Sequence, residues 1–222
     1  MLSGIEGLLL LCWDWNWANF VVNLLVGVGT IGVVLLVLYQ EFWRTPKLEV
    51  EFDQNKEGFC RYASVNWVIK HIPNRLVYCE IDQSVLTYWV RIKVINIGKT
   101  VAKNVVGRVN EMFCIKDNKV TFCQPFDPCI LHWVGQKGDD LNLIDVNKKE
   151  YYYLDILFIE KDDPCVYINT DLNQTRGIKY NWEAGDYLLK IALYSENAKP
   201  VSKTLRVVWN GKWNEIEVSL SR

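Results

Sequence analysis

The order of apolar and polar positions divides the chain in two. From Phe20 to Tyr39 it reads FVVNLLVGVGTIGVVLLVLY, with no charge and only Asn23 and Thr30 polar before the closing Tyr. At 1.5 Å per residue this run is about 30 Å long, the thickness of a bilayer's hydrocarbon core. Trp13, Trp15 and Trp17 precede it, and Tyr39, Phe42 and Trp43 follow it; aromatic rings favour both membrane interfaces. The pattern predicts one transmembrane helix over 20–39, a short interfacial segment over 1–19 and a juxtamembrane linker over 40–47. A cleaved signal peptide is not expected: the apolar run is too long, lacks a basic leader and has no small-residue cleavage site after it.

Beyond Lys47 the pattern becomes alternating. Leu48–Phe52, Val85–Ile95, Val101–Ile115, Val120–Cys123, Tyr151–Ile159, Cys165–Ile168, Tyr187–Tyr194, Thr204–Trp209 and Glu215–Leu220 read as strands, rich in Val, Ile, Tyr and Trp and bounded by turn residues. Lys116-Asp-Asn-Lys119 reads as a hairpin turn. No amphipathic helix interrupts the series, so residues 48–222 predict one antiparallel β-sandwich domain rather than an α/β sheet. About 180 residues suffice for a single domain with its own core.

Composition changes this picture little. Of 222 residues, 50% are apolar and 23% charged, which excludes a disordered chain. All 25 Lys and Arg lie at or beyond Arg44, where they nearly balance the acidic residues. No basic stripe points to nucleic acid. Gly27-Val-Gly-Thr-Ile-Gly32 spells GxGxxG. A dinucleotide site needs that motif between a strand and a helix; here it falls mid-span. Asn23, Gly27 and Thr30 share one helical face instead, and small residues on one face permit close helix–helix contact in lipid.

Two short motifs carry a resemblance. In Asn96-Ile-Gly98-Lys-Thr-Val-Ala102, Asn and Gly suit a tight turn and Ala102 is small enough to tuck beneath it. In Glu183-Ala-Gly185-Asp-Tyr187-Leu-Leu189, a Tyr stands two residues before a core position. The first resembles the N-x-G-x-x-x-A turn of immunoglobulin-like domains of the prokaryotic cell-adhesion-related type. The second resembles the tyrosine corner of immunoglobulin-like sandwiches. The resemblance implies an immunoglobulin-like fold over the β domain. Leu189 stands where antibody domains carry their second Cys, so an inter-sheet disulfide is excluded at that point.

Candidate chemistry is sparse. The only histidines are His71 and His132. No G-x-S-x-G elbow, Walker loop, HExxH helix or EF-hand loop is present. Cys114, Cys123, Cys129 and His132 are the best metal-ligand candidates by residue type, but a paired CxxC knuckle is missing and buried Cys serves equally as a small apolar residue. No cofactor is expected. Cys60, Cys79 and Cys165 bring the β domain to six cysteines, which could form disulfides in an oxidising compartment; Cys114 and Cys123 flank the hairpin and are the favoured local pair. Asp139, Asp140 and Asp145, and Glu160, Asp162 and Asp163, form acidic loops that read as solvated charge before calcium sites. Asn173-Gln-Thr175 is a glycosylation sequon, of consequence only on an exported domain.

These features favour a membrane-anchored, non-enzymatic binding or scaffolding module. Its expected partners are the lipid bilayer and another protein, a second copy of itself included. An accessory subunit of a larger membrane complex is the alternative, and a metal-dependent hydrolase using the Cys/His cluster ranks third. Lys and Arg lie only on the C-terminal side of the span, which places the β domain in the cytoplasm by the positive-inside rule. The adhesion-type resemblance and the sequon argue for the outside.

Overall fold

The structure is a computed structural model that describes residues 3–43, 45–72, 75–123, 126–135, 143–170 and 181–221. Arg44, Asp139, Asp140 and the sequon at Asn173 lie outside these residues, as does the side chain of His71. The chain divides into two compact units, residues 1–45 and 46–222.

The first unit is one helix, α1 (Ser3–Trp43). It runs unbroken through the segment expected to lie apart at an interface. Trp17–Gln40 is long and apolar enough to cross a membrane, with a mean hydropathy of 2.6 over its most apolar window. Every residue from Trp17 to Gln40 except Val21 is exposed. A helix apolar on all sides finds no stable place in water without a cover.

The second unit is mostly β. Its strands are β1 (Leu48–Glu51), β2 (Cys60–Ile72), β3 (Arg75–Asn96), β4 (Ala102–Lys116), β5 (Lys119–Phe122), β6 (Cys129–Ile130), β7 (His132–Trp133) and β8 (Ile144–Val146). There follow β9 (Tyr151–Glu160), β10 (Val166–Ile168), β11 (Asn181–Trp182), β12 (Gly185–Tyr194), β13 (Val201–Trp209) and β14 (Ile216–Ser221). They form two antiparallel sheets. One has the order β1-β3-β9-β10-β11, with β2 also on β3 and β7 on β9. The other runs β14-β13-β12-β4-β5, with β6 and β8 on β4. Val90, Ile92, Val94, Leu154 and Ile156 of the first sheet share a core cluster with Val109, Met112, Leu189, Ile191, Leu205 and Val207 of the second. Each such buried aliphatic side chain contributes about 1.5–3 kcal/mol through lost water contact.

The predicted strands are present; beyond the short unpredicted strands β6, β7, β8 and β11 there are two larger differences. β2 was not expected, and β3 begins ten residues before the predicted Val85. A register shift between Val65 and Trp67 breaks the alternation of β2, so a period-two reading passes over it. The opening of β3 carries Glu80, Asp82, Gln83 and Ser84, residues that favour a loop reading. The β4–β5 hairpin closes through Asp117 and Asn118, at φ 50° and 59°. Both central residues at positive φ mark a type I′ turn, whose twist matches that of the strands.

Asn96 joins the ends of several elements. It is fully buried. Its Oδ1 accepts from the backbone N–H groups of Lys47 (3.2 Å) and Gly98 (3.0 Å). Its Nδ2 donates to the carbonyls of Thr100 (2.7 Å) and Val146 (2.8 Å). Its own backbone N–H donates to the Glu150 carbonyl, and its carbonyl accepts from Lys149. A Cβ at position 98 would sit 2.3 Å from the Lys47 nitrogen, so only Gly lets the turn close on the chain entering β1. Ala102 is fully buried and lies opposite Val146 in register.

Asn96→Ala leaves these donors and acceptors without partners, a loss of about 1–3 kcal/mol for each buried group. Thermal melting of residues 46–222 checks this. The expected result is a β-type circular dichroism spectrum for the parent fragment and a melting temperature lower by roughly 8–16 °C for the variant, at about 1 kcal/mol for each of the four side-chain partners and 2–4 °C per kcal/mol. An unchanged melting temperature would remove Asn96 from its structural role.

Candidate functional site

A groove of about 810 Å³ lies beside the segment that leaves β1. That segment turns at Asp53–Lys56, where Lys56 N–H donates to the Asp53 carbonyl and Asn55 N–H to the Asp53 carboxylate. Gln54 is thereby aimed at β14: its Nε2 donates to the Ile216 carbonyl (2.7 Å), and its Oε1 accepts from the Val218 N–H (2.8 Å). One side-chain amide so replaces a strand partner along part of an edge. Among the described residues β14 pairs only with β13; Val218 lines the groove at the Gln54 clasp, and Ser219 and Leu220 line it beyond.

The groove has aromatic and charged walls. Phe52 meets Phe59 edge-on at 5.7 Å, and Phe59 meets Tyr153 edge-on at 5.8 Å. Gly58 has φ 96°, and a Cβ there would lie 2.6 Å from the Tyr153 hydroxyl, so glycine admits the ring. Lys56 pairs with Asp53 and Lys93 with Glu51, both at 3.3 Å. Exposed pairs of this kind contribute little to stability, so they can exchange partners cheaply. Aromatic surface beneath a rim of both charges suits contact with another polar chain.

The cysteine and histidine candidates are divided by the fold. Cys114 and Cys123 adjoin at the β4–β5 hairpin. Cys129 lies in β6 beside Val109 of β4 and is buried, which pushes its thiol up to about 12. His132 lies in β7, opposite Asp155 of the other sheet. Among the described residues no group of three or more His, Cys, Asp or Glu is placed to hold a metal ion. The proximity of Cys129 and His132 in sequence misleads because the chain passes from one sheet to the other between them. Two described members of the acidic loops accept hydrogen bonds within the β unit. Asp145 accepts from the Asn104 N–H, and Asp163 accepts from the Cys165 N–H and the Tyr167 hydroxyl.

At Glu183–Tyr187 the Tyr187 hydroxyl donates to the Glu183 carbonyl at 2.9 Å. A Cβ on Gly185 would lie 2.8–2.9 Å from atoms of the Tyr187 phenol group. Leu189 is buried.

One buried pair escaped the sequence reading. Arg91 of β3 donates through Nε to Asp155 of β9, and both residues are less than a tenth exposed. Burial raises the Asp155 carboxyl above its ordinary value, against the opposing pull of Arg91 and, more weakly, of Arg61. Residues 64 positions apart offer no local signal.

Arg91→Met leaves Asp155 buried without its partner. The expected cost is about 3–5 kcal/mol at neutral pH. Because the carboxyl is then raised further, the folded state binds a proton that the unfolded state releases. The variant's stability therefore falls as pH rises from the ordinary carboxylate range through the raised value, and returns on acidification. Urea melts between pH 4 and 8 read this directly; a pH-independent deficit would contradict it. Comparison with protein-family models, curated proteins and solved structures finds no match to this chain.

Proposed function

We propose that this chain is a single-span membrane protein whose β unit is a non-enzymatic binding or scaffolding module with immunoglobulin-like sandwich architecture. One observation carries the reading: a helix apolar on every side stands in a chain whose other unit closes its own core. The helix requires an apolar solvent and the β unit does not. The sandwich assignment is supported by the shared core of the two sheets, the Asn96 turn and the Tyr187-to-Glu183 bond. The groove between the Phe52–Phe59 segment and β14 is the proposed contact surface, with another protein as its ligand.

The charges favour a cytoplasmic β unit. Arg44, Lys47, Lys56 and Arg61 follow the span, and no Lys or Arg precedes it; cations near a span end stay on the cytoplasmic side.

A second reading, an accessory subunit docked through the helix, is favoured by the Asn23/Gly27/Thr30 face. A Cβ on Gly27 would meet nothing within 4 Å, and the Thr30 hydroxyl is satisfied by the Val26 carbonyl at 2.8 Å. Gly27→Leu therefore leaves a lone helix intact while holding two helices apart.

A photo-crosslinking residue placed at Glu57 or Ser219, in the groove, separates the readings from one another. Lys119, in β5 at the other end of the second sheet, serves as control. Purification of the full chain in mild detergent should give a defined crosslinked partner from the groove sites and not from Lys119. Equal labelling from all three sites would refute the groove. Loss of the partner in Gly27→Leu would transfer the contact to the membrane helix.

A further inference from the structure

We propose that Cys114 and Cys123 form a reversible disulfide across the β4–β5 hairpin, with Cys114 as the attacking thiol and Cys123 as the resolving one. Cys114 lies opposite Thr121. Cys123 stands two residues further on, its N–H donating to the Met112 carbonyl at 2.9 Å. The side chains of residues two apart share a sheet face, so the two cysteines are diagonal neighbours. The two side chains are close enough for each to perturb the other's thiol. All six cysteines of the β unit are reduced in this structure.

The two thiols differ in the way such a pair requires. The Thr121 hydroxyl lies 3.1 Å from the Cys114 sulfur. Its hydrogen bond, and then those of Cys123 and the nearby charge of Lys116, draw the Cys114 thiol below its ordinary value. Burial pushes Cys123 up to about 12. The thiolate is the nucleophile, so Cys114 reacts first. Its sulfur attacks one sulfur of a small disulfide such as oxidised glutathione. That S–S bond breaks, and one glutathione leaves as a thiol with the proton that Cys114 gave up. Cys123 then loses its proton and attacks the Cys114 sulfur, expelling the second glutathione. Two cysteine thiols are oxidised and one disulfide is reduced to two thiols.

The bond is a labile one by position. Diagonal strand partners have Cα atoms about 7–8 Å apart, whereas a disulfide is relaxed below about 6.8 Å. Because β4 and β5 are already paired, closing it shears β5 along β4, and bonds formed under such strain are readily reduced. Among the described residues β5 is also an edge of its sheet, with Val120 and Phe122 open to solvent. Oxidation would therefore act at an edge of the sheet, where Cys123 also packs against the core.

The test uses the full chain in detergent, titrated with mixtures of reduced and oxidised glutathione and mapped by non-reducing peptide mass spectrometry. The expected product is a Cys114–Cys123 crosslink, reversed by excess reduced glutathione. Alkylation of Cys114 should run roughly tenfold or more faster than that of Cys123, as its greater thiolate fraction requires. Cys123→Ser should stop at a Cys114–glutathione adduct, and Cys114→Ser should leave Cys123 unmodified. Circular dichroism confirms that each variant is folded, and the wild-type map stands without either variant. A stable glutathione adduct on wild-type Cys114, a crosslink to Cys60, Cys79, Cys129 or Cys165, or faster alkylation of Cys123 would each overturn the proposal.

Discussion

The β unit depends on the satisfaction of one buried amide. Asn96 ends β3, and its four side-chain hydrogen bonds join the approach to β1, the turn into β4 and the end of β8. These are the places where the chain leaves regular pairing, and buried backbone groups there would otherwise lack partners. The polar cost of turning the chain inside the core is met by one residue that both donates and accepts. Gly98 is the second half of the device, because Lys47 lies where its side chain would be. The constraint also positions β1, since the Ile97 N–H donates to the Lys47 carbonyl.

Once β1 is placed, the groove follows. The chain leaving Glu51 passes Phe52 and Phe59 across Tyr153 and lets Gln54 clasp β14. An edge strand is a template for further pairing. Here the clasp covers Ile216 and Val218 and leaves the continuation at Leu220 to line the groove. Protection of part of an edge, with an opening beside aromatic side chains, is compatible with selective contact and opposed to open-ended aggregation.

Much of the fold was legible because its signals are local. Alternation in Val201–Trp209 and Ile216–Ser221 survives as alternating burial. Asp117 and Asn118 tolerate the positive φ of their turn, and the chemistry of Asn96 and Gly98 is written within a few residues. The losses are equally physical. The irregular register around Asn66 concealed β2. Arg91 and Asp155 look like surface charges until two distant strands pair. The groove is assembled from β1, β3, β9 and β14, none of which marks it alone. Cys129 and His132 are near in sequence, yet the fold places them in different sheets.

The proposed topology places α1 across a membrane and the β unit on its cytoplasmic side. Protease added to sealed cells or spheroplasts tests that topology most directly, with the chain followed by antibody to the β unit in the membrane fraction. The account predicts a chain that sediments with membranes and stays uncut while they are sealed. After permeabilisation it should be cleaved near residues 44–46, releasing a resistant β fragment. Digestion of the β unit with the membrane still sealed, or a full-length chain in the soluble fraction, would contradict it.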